Sequence, residues 1–144
     1  MGMLTTERGT AILKGAILFV GSNAKIFTIG WCMGGGWALQ TSLMAGKQGA
    51  GCVMYYGMPE ADVNKLKTLH CDVIGFFANK DGYITPKIVD EFKAHMKEAG
   101  KKLEVHQYDA DHAFANPSNP HFDKDAAADS HAKAIAFIKE RMKS

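Results

Sequence analysis

No apolar run in this sequence is long enough to span a bilayer, which takes about 20 residues, and residues 16–20 are too few for the core of a secretion signal. Charge of one sign is also lacking. The net charge is +2 over 144 residues, and Lys and Glu are interspersed without a basic patch, so neither nucleic acid nor a membrane is an expected partner. Cysteine is scarce. Three residues at irregular spacing do not make a disulfide framework and fit a reducing, cytoplasmic setting. His70, His95, His106, His121 and His131 lack metal-ligand spacing, so no metal is expected. The triglycine at residues 34–36 has no Lys-Ser/Thr after it and is no phosphate cradle, so no cofactor is expected either. Repeats, linkers and low-complexity tracts are missing, which leaves one domain over residues 1–144. Residues 1–6 match a myristoylation pattern formally, but a start-site or cloning remnant explains them as well.

What is present is an alternation of two periodicities. Ile12, Leu13, Ala16, Ile17 and Val20 recur every three or four residues and predict a helix over 10–20. Residues 25–31 predict a strand rich in β-branched and aromatic side chains. A helix follows over 35–46, and GCVMYY at 51–56 predicts a second strand. After a polar stretch at 59–69, a third strand is expected at 73–78. Thr85 and Pro86 supply the cap and first turn of a helix faced by Val89, Phe92, Met96 and Ala99 and ended by Gly100. LEVHQY at 103–108 predicts the fourth strand. A loop over 109–122 leads to a last helix at 124–142, with His131, Ile135, Ile138 and Met142 along its stripe. Strands alternating with helices make an α/β protein with about four mainly parallel strands flanked by helices.

Three groups carry chemistry. Gly30-Trp31-Cys32-Met33-Gly34 fits the G-x-nucleophile-x-G turn, which holds its central side chain exposed between a strand and a helix. Glycine at either flank is expected because a Cβ there would collide with its neighbours. At a helix N-terminus the partial positive charge favours a thiolate at Cys32. Asp81 follows the third strand and His112 follows the fourth. All three therefore fall at the carboxyl ends of strands, where parallel α/β sheets bind ligands. His112 suits the general base, Asp81 the group that orients the imidazole, and the Met33 N–H an oxyanion donor.

GWCMGGG, NKDGYIT and DADHAFANP, in that order and at these separations, resemble the dienelactone hydrolase family of α/β-hydrolases, also called carboxymethylenebutenolidases. The resemblance covers roughly residues 10–142 and implies the C-terminal part of an α/β-hydrolase fold. It also implies hydrolysis of a small-molecule ester, lactone or thioester through a thioacyl intermediate on Cys32, with Asp81, His112 and Met33 completing the site. The family has a further N-terminal region of several strands, bearing a second oxyanion donor and an acidic residue that interacts with the cysteine. The sequence is expected to be truncated relative to it. Strand 25–31 then becomes a sheet edge, and a homo-oligomer that covers it is expected. A family arginine that holds the lactone carboxylate would fall at Asn116, which puts the dienelactone substrate in question.

Each of these residues also has an ordinary use. Cys32 can be a small buried side chain, as Cys52 and Cys71 are expected to be. Asp81 can stabilise a turn with Gly82, and Asp109 or Asp111 can partner His112 or turn its loop. Two other functions remain open: a catalytically silent remnant acting as an assembly or binding module, and a thiol redox sensor.

Overall fold

The computed structural model describes residues 5–143. The myristoylation-like pattern begins outside them. The chain alternates α1 (Thr6–Val20), β1 (Ile26–Trp31), α2 (Met33–Ala45), β2 (Gly49–Tyr55), α3 (Val63–Leu66), β3 (Val73–Ala78), α4 (Pro86–Glu98), β4 (Leu103–Tyr108) and α5 (Lys124–Met142). The strands form one parallel sheet in the order β1-β2-β3-β4, with Trp31 beside Tyr55 and Ala78 beside Tyr108 in register. Sequential parallel strands joined by crossovers of one hand place α2, α3 and α4 on the same face. Leu39, Leu66, Val89, Phe92 and Met96 pack there against Cys52, Met54, Val73 and Phe77. α5 covers the other face, where Ala126, Ala134 and Phe137 meet Val53, Tyr55, Ile74 and Phe76. β3 is buried along its whole length, as a strand covered on both faces must be.

Cys52 and Cys71 are buried, as expected, and burial pushes the Cys52 thiol up to about 12. Thr85 caps α4 by accepting the Ile88 N–H, and Gly100 leaves the helix with φ 71°.

Three expectations are corrected. α1 starts at Thr6, capped by the Thr5 hydroxyl, rather than at residue 10. Its expected stripe is largely uncovered. Only Leu13 and Ile17 of that set are partly shielded, while Ile12, Ala16 and Val20 are exposed, as are Leu18 (81%) and Phe19 (92%). The one buried residue of α1 is Gly9, which lies so close to the Trp37 indole that a Cβ would come within 2.6 Å of it. The inward face of α5 is also rotated from the expected one. Ala126, Ser130, Ala134 and Phe137 are buried, whereas His131, Ile135 and Met142 are exposed.

β1 is an edge of the sheet, paired with β2 alone. Thr28 turns toward α2 and shares a buried 2.8 Å hydrogen bond with Ser42. Ile29 and Trp31 alternate to the opposite side and are each 47% exposed, a pair of large apolar groups on an open edge.

Candidate active site

Cys32 stands between β1 and α2 with φ 55° and ψ −126°, a left-handed conformation that a non-glycine residue adopts only under constraint. Two features of its surroundings hold it there. The Cys32 N–H donates to the Tyr55 carbonyl at 3.0 Å and so extends the β1–β2 ladder. The helix then turns back so tightly that a Cβ on Gly30 would lie 2.0 Å from the Gly34 carbonyl oxygen. Of the two flanking glycines, only Gly30 is sterically required, because the Cβ position of Gly34 faces open space. The other close approach involves Gly35, whose Cβ would come within 2.8 Å of the Tyr55 carbonyl oxygen. Met33 is the first residue of α2, so its N–H is among those that find no acceptor within the helix.

Asp81 and His112 come together from neighbouring strands. The chains that leave β3 and β4 are stitched by two backbone bonds, Asn79 N–H to Tyr108 O (2.8 Å) and Lys80 N–H to Ala110 O (3.0 Å). Asp81 Oδ1 accepts the N–H groups of Tyr83 (2.7 Å) and Ile84 (3.0 Å), which leaves Oδ2 for His112 Nδ1 at 2.6 Å. The carboxylate is fully buried, while the imidazole is partly open. Asp109 instead pairs with Lys80, and Asp111 with His121, so neither competes for His112. The loop is fixed from below by Phe114, which is buried among Tyr55, Tyr56 and Tyr108.

Several residues that bear on this region are not evident from the sequence motifs. The Tyr56 ring lies 5.0 Å from the imidazole and the Tyr83 ring 5.7 Å from it, so the histidine sits between two aromatic groups. Tyr56 has φ 36° and Ala113 φ 68°. Both sit at the carboxyl ends of strands or in the loop beyond, and Tyr56 directly follows β2 at the ligand-binding rim, which is the signal that could have marked it. A small cleft beside Cys32 is lined by Trp31, Tyr56, Ala115, Asn116 and Pro117.

The electrostatics of the thiol depart from expectation. Burial raises the Cys32 thiol above its usual range, and the Asp81 charge raises it further. Desolvation and a like-signed neighbour both favour the protonated form, opposing the helix N-terminus, whose effect is limited to fractions of a charge. No hydrogen bond joins the Cys32 Sγ to His112 among the described residues. Nor do any three His, Cys, Asp or Glu side chains among those residues gather into a group able to hold a metal ion, and no described helix is long and apolar enough to cross a membrane.

The profile of the dienelactone hydrolase family matches residues 2–142. A carboxymethylenebutenolidase of a Pseudomonas species is 27% identical over 142 residues, covering 95% of this chain and 58% of that protein. Carboxymethylenebutenolidase 1 of Cupriavidus pinatubonensis is 28% identical, covering 81% of this chain and 49% of its own. The chain therefore spans only about half the length of these curated relatives. Among solved structures, a dienelactone hydrolase-like promiscuous phosphotriesterase from metagenomic libraries superposes with TM-score 0.73 at 19% identity, over 92% of this chain and 59% of that one. An esterase from Thermogutta terrifontis gives 0.68 at 17% identity, over 92% and 62%.

Proposed function

The chain belongs to the dienelactone hydrolase family, its four parallel strands and their helices form the C-terminal part of an α/β-hydrolase fold, and on that premise we propose that it hydrolyses an ester, lactone or thioester through Cys32, His112 and Asp81. The observation that carries this reading is the 2.6 Å bond from buried Asp81 to His112 Nδ1 on the same sheet rim as the constrained Cys32.

In the proposed cycle, Asp81 holds the imidazole through Nδ1, which leaves Nε2 to accept the Cys32 thiol proton. Sγ then bonds to the acyl carbon, and the carbonyl oxygen becomes an oxyanion facing the Met33 N–H. Collapse breaks the bond to the leaving oxygen or sulfur, which takes its proton from Nε2. A water molecule, deprotonated by His112, attacks the thioacyl carbon, releases the acid and restores the thiol. Burial and the Asp81 charge both favour the protonated thiol, which supports His112 in the role of base. A buried carboxylate aimed at one ring nitrogen favours an active site over a silent assembly module, which has no use for it.

An activated aryl ester should leave one acyl group per chain on the Cys32 peptide after rapid quenching, seen by mass spectrometry together with a stoichiometric burst of the aryl alcohol. In Cys32→Ser both should vanish. A wild-type chain that carries no acyl group, or carries it elsewhere, overturns the assignment.

For the assembly, we propose a homo-oligomer that covers the open edge of β1. Paired edges would bury Ile29 and satisfy unpaired backbone groups, while the Trp31 indole stays on the cleft beside Cys32. Sedimentation at tens of micromolar, where ordinary association is populated, should give a mass above 15.7 kDa. A compact monomer there removes this proposal.

A further inference from the structure

The cleft beside Cys32 has a chemical character of its own. Its volume of about 260 Å³ is below the range of about 300–1,000 Å³ typical of sites for drug-sized ligands, which limits it to a single ring or a short chain. Trp31 forms one wall. Its indole is braced against Tyr55 at 5.3 Å and 22°, near-parallel stacking that holds the ring while leaving it 47% exposed. Tyr56 and Pro117 add further flat apolar surface. Asn116 is the one side chain of the lining with an amide. Its Oδ1 already accepts the Ser118 N–H at 2.9 Å, which leaves the NH₂ group as the donor it can offer. None of the six lining residues, Cys32 included, is charged. Behind the cleft, on the same sheet rim, the buried Asp81 carboxylate holds His112 and acts on the sulfur as a negative charge.

From the braced indole, the uncharged lining and the carboxylate behind it, we propose that this cleft selects neutral acyl compounds bearing an aromatic ring and disfavours those that carry a carboxylate. The ring stacks on Trp31. A carbonyl oxygen takes the Asn116 NH₂. An anionic group in the same place gains no cation and meets Asp81. As a statement of substrate class this rests on the hydrolase reading above, but the selectivity of the cleft is readable without turnover.

The test uses alkylation of the full chain by iodoacetamide, N-benzyl-iodoacetamide and iodoacetate, with Cys32 followed by peptide mass spectrometry. In each case Sγ bonds to the reagent carbon and iodide leaves. Rate ratios between reagents cancel the pKa of the thiol, and 2-mercaptoethanol gives the ratios in the absence of a pocket. On Cys32 the benzyl reagent should gain about ten-fold over iodoacetamide relative to that reference, the value of roughly half a buried aromatic side chain. Iodoacetate should lose at least about three-fold. Trp31→Ala should return the benzyl ratio to the reference value, and Trp31→Phe should keep part of the gain.

A benzyl ratio equal to the reference, an iodoacetate ratio at or above it, or a gain that survives Trp31→Ala overturns the proposal. Should the ratios come out as expected while no ester acylates Cys32, the hydrolase reading fails and the selectivity stands. Acylation with reference ratios gives the reverse result. The wild-type ratios alone decide the matter if the alanine variant does not fold.

Discussion

Gly30→Ala should unfold the chain or come close to it. The added Cβ would sit 2.0 Å from the Gly34 carbonyl oxygen and 2.3 Å from its carbon, and both are backbone atoms in the first turn of α2. A flexible side chain could swing away, but a helix cannot. α2 would have to lift off β1, breaking its packing at Leu39 and the buried Thr28–Ser42 bond. Overpacking of ordinary cores costs about 1–3 kcal/mol, and a clash of backbone against Cβ belongs above that range. The control is three residues from Cys32's strand neighbour. Gly34→Ala adds its Cβ to open space in a helix, where alanine is favoured over glycine by up to about 1 kcal/mol. Urea melts followed by circular dichroism should therefore move in opposite directions for the two variants. Equal losses would mean that the elbow is not as closely packed as this geometry requires.

Asp81→Asn should separate two quantities that both report on Cys32. Acylation by an aryl ester should fall by about 10⁴, the scale seen when an orienting aspartate is lost from a nucleophile–histidine pair elsewhere. The amide can still accept the Tyr83 and Ile84 N–H groups, so the turn is retained, but it no longer holds Nδ1 as a carboxylate does. Simple alkylation should move the other way. The Asp81 charge favours the protonated thiol and so raises its pKa. Without that charge the pKa falls, and at any pH below it more thiolate is present. At pH 8 iodoacetamide should label Cys32 of the variant faster than that of the wild type. A stopped acylation with slower alkylation would instead point to a displaced loop, and Asp81 would then be a structural residue.

Much of the fold is legible because local chemistry and tertiary packing agree. β3 and β4, and the span of α5, fall where the apolar runs and the final periodic stretch place them. α4 is bounded by its own Thr85 cap and by Gly100 at φ 71°. The orientation of α5 is not legible, for a reason of size. Tyr55, Phe76, Tyr108 and Phe114 already fill the space on that face of the sheet. The helix therefore approaches through Ala126, Ser130 and Ala134, with Phe137 as the large side chain it buries, and Ile135 is left outside. Periodicity registers where apolar bulk recurs, not where a partner has left room for it. The start of α1 was obscured by Gly9, a poor helix former that turns out to be the contact point with Trp37.

The site divides in the same way. Spacing and strand ends suffice to place Asp81 and His112 on one rim, since both depend on topology. The raised thiol is a different matter. It follows from desolvation and from a charge 49 positions away along the chain, neither of which any local pattern carries. Trp31 and Tyr56 lie next to recognised features, yet their place in the cleft depends on three segments of chain meeting.

The open flank of β1 gives the three candidate groups unequal footing. Asp81 and His112 follow β3 and β4, whose exits are laced together and whose inner strand is wholly enclosed. The sulfur is carried by a ribbon that is held on one side only. Partial opening of such a molecule begins where fewest bonds resist it. Its amides should trade protons with solvent earlier than those of β3, and Cys32 would be displaced while the Asp81 carboxylate still grips its imidazole. The proposed cover of that flank would therefore also set how long Cys32 keeps its place beside the histidine.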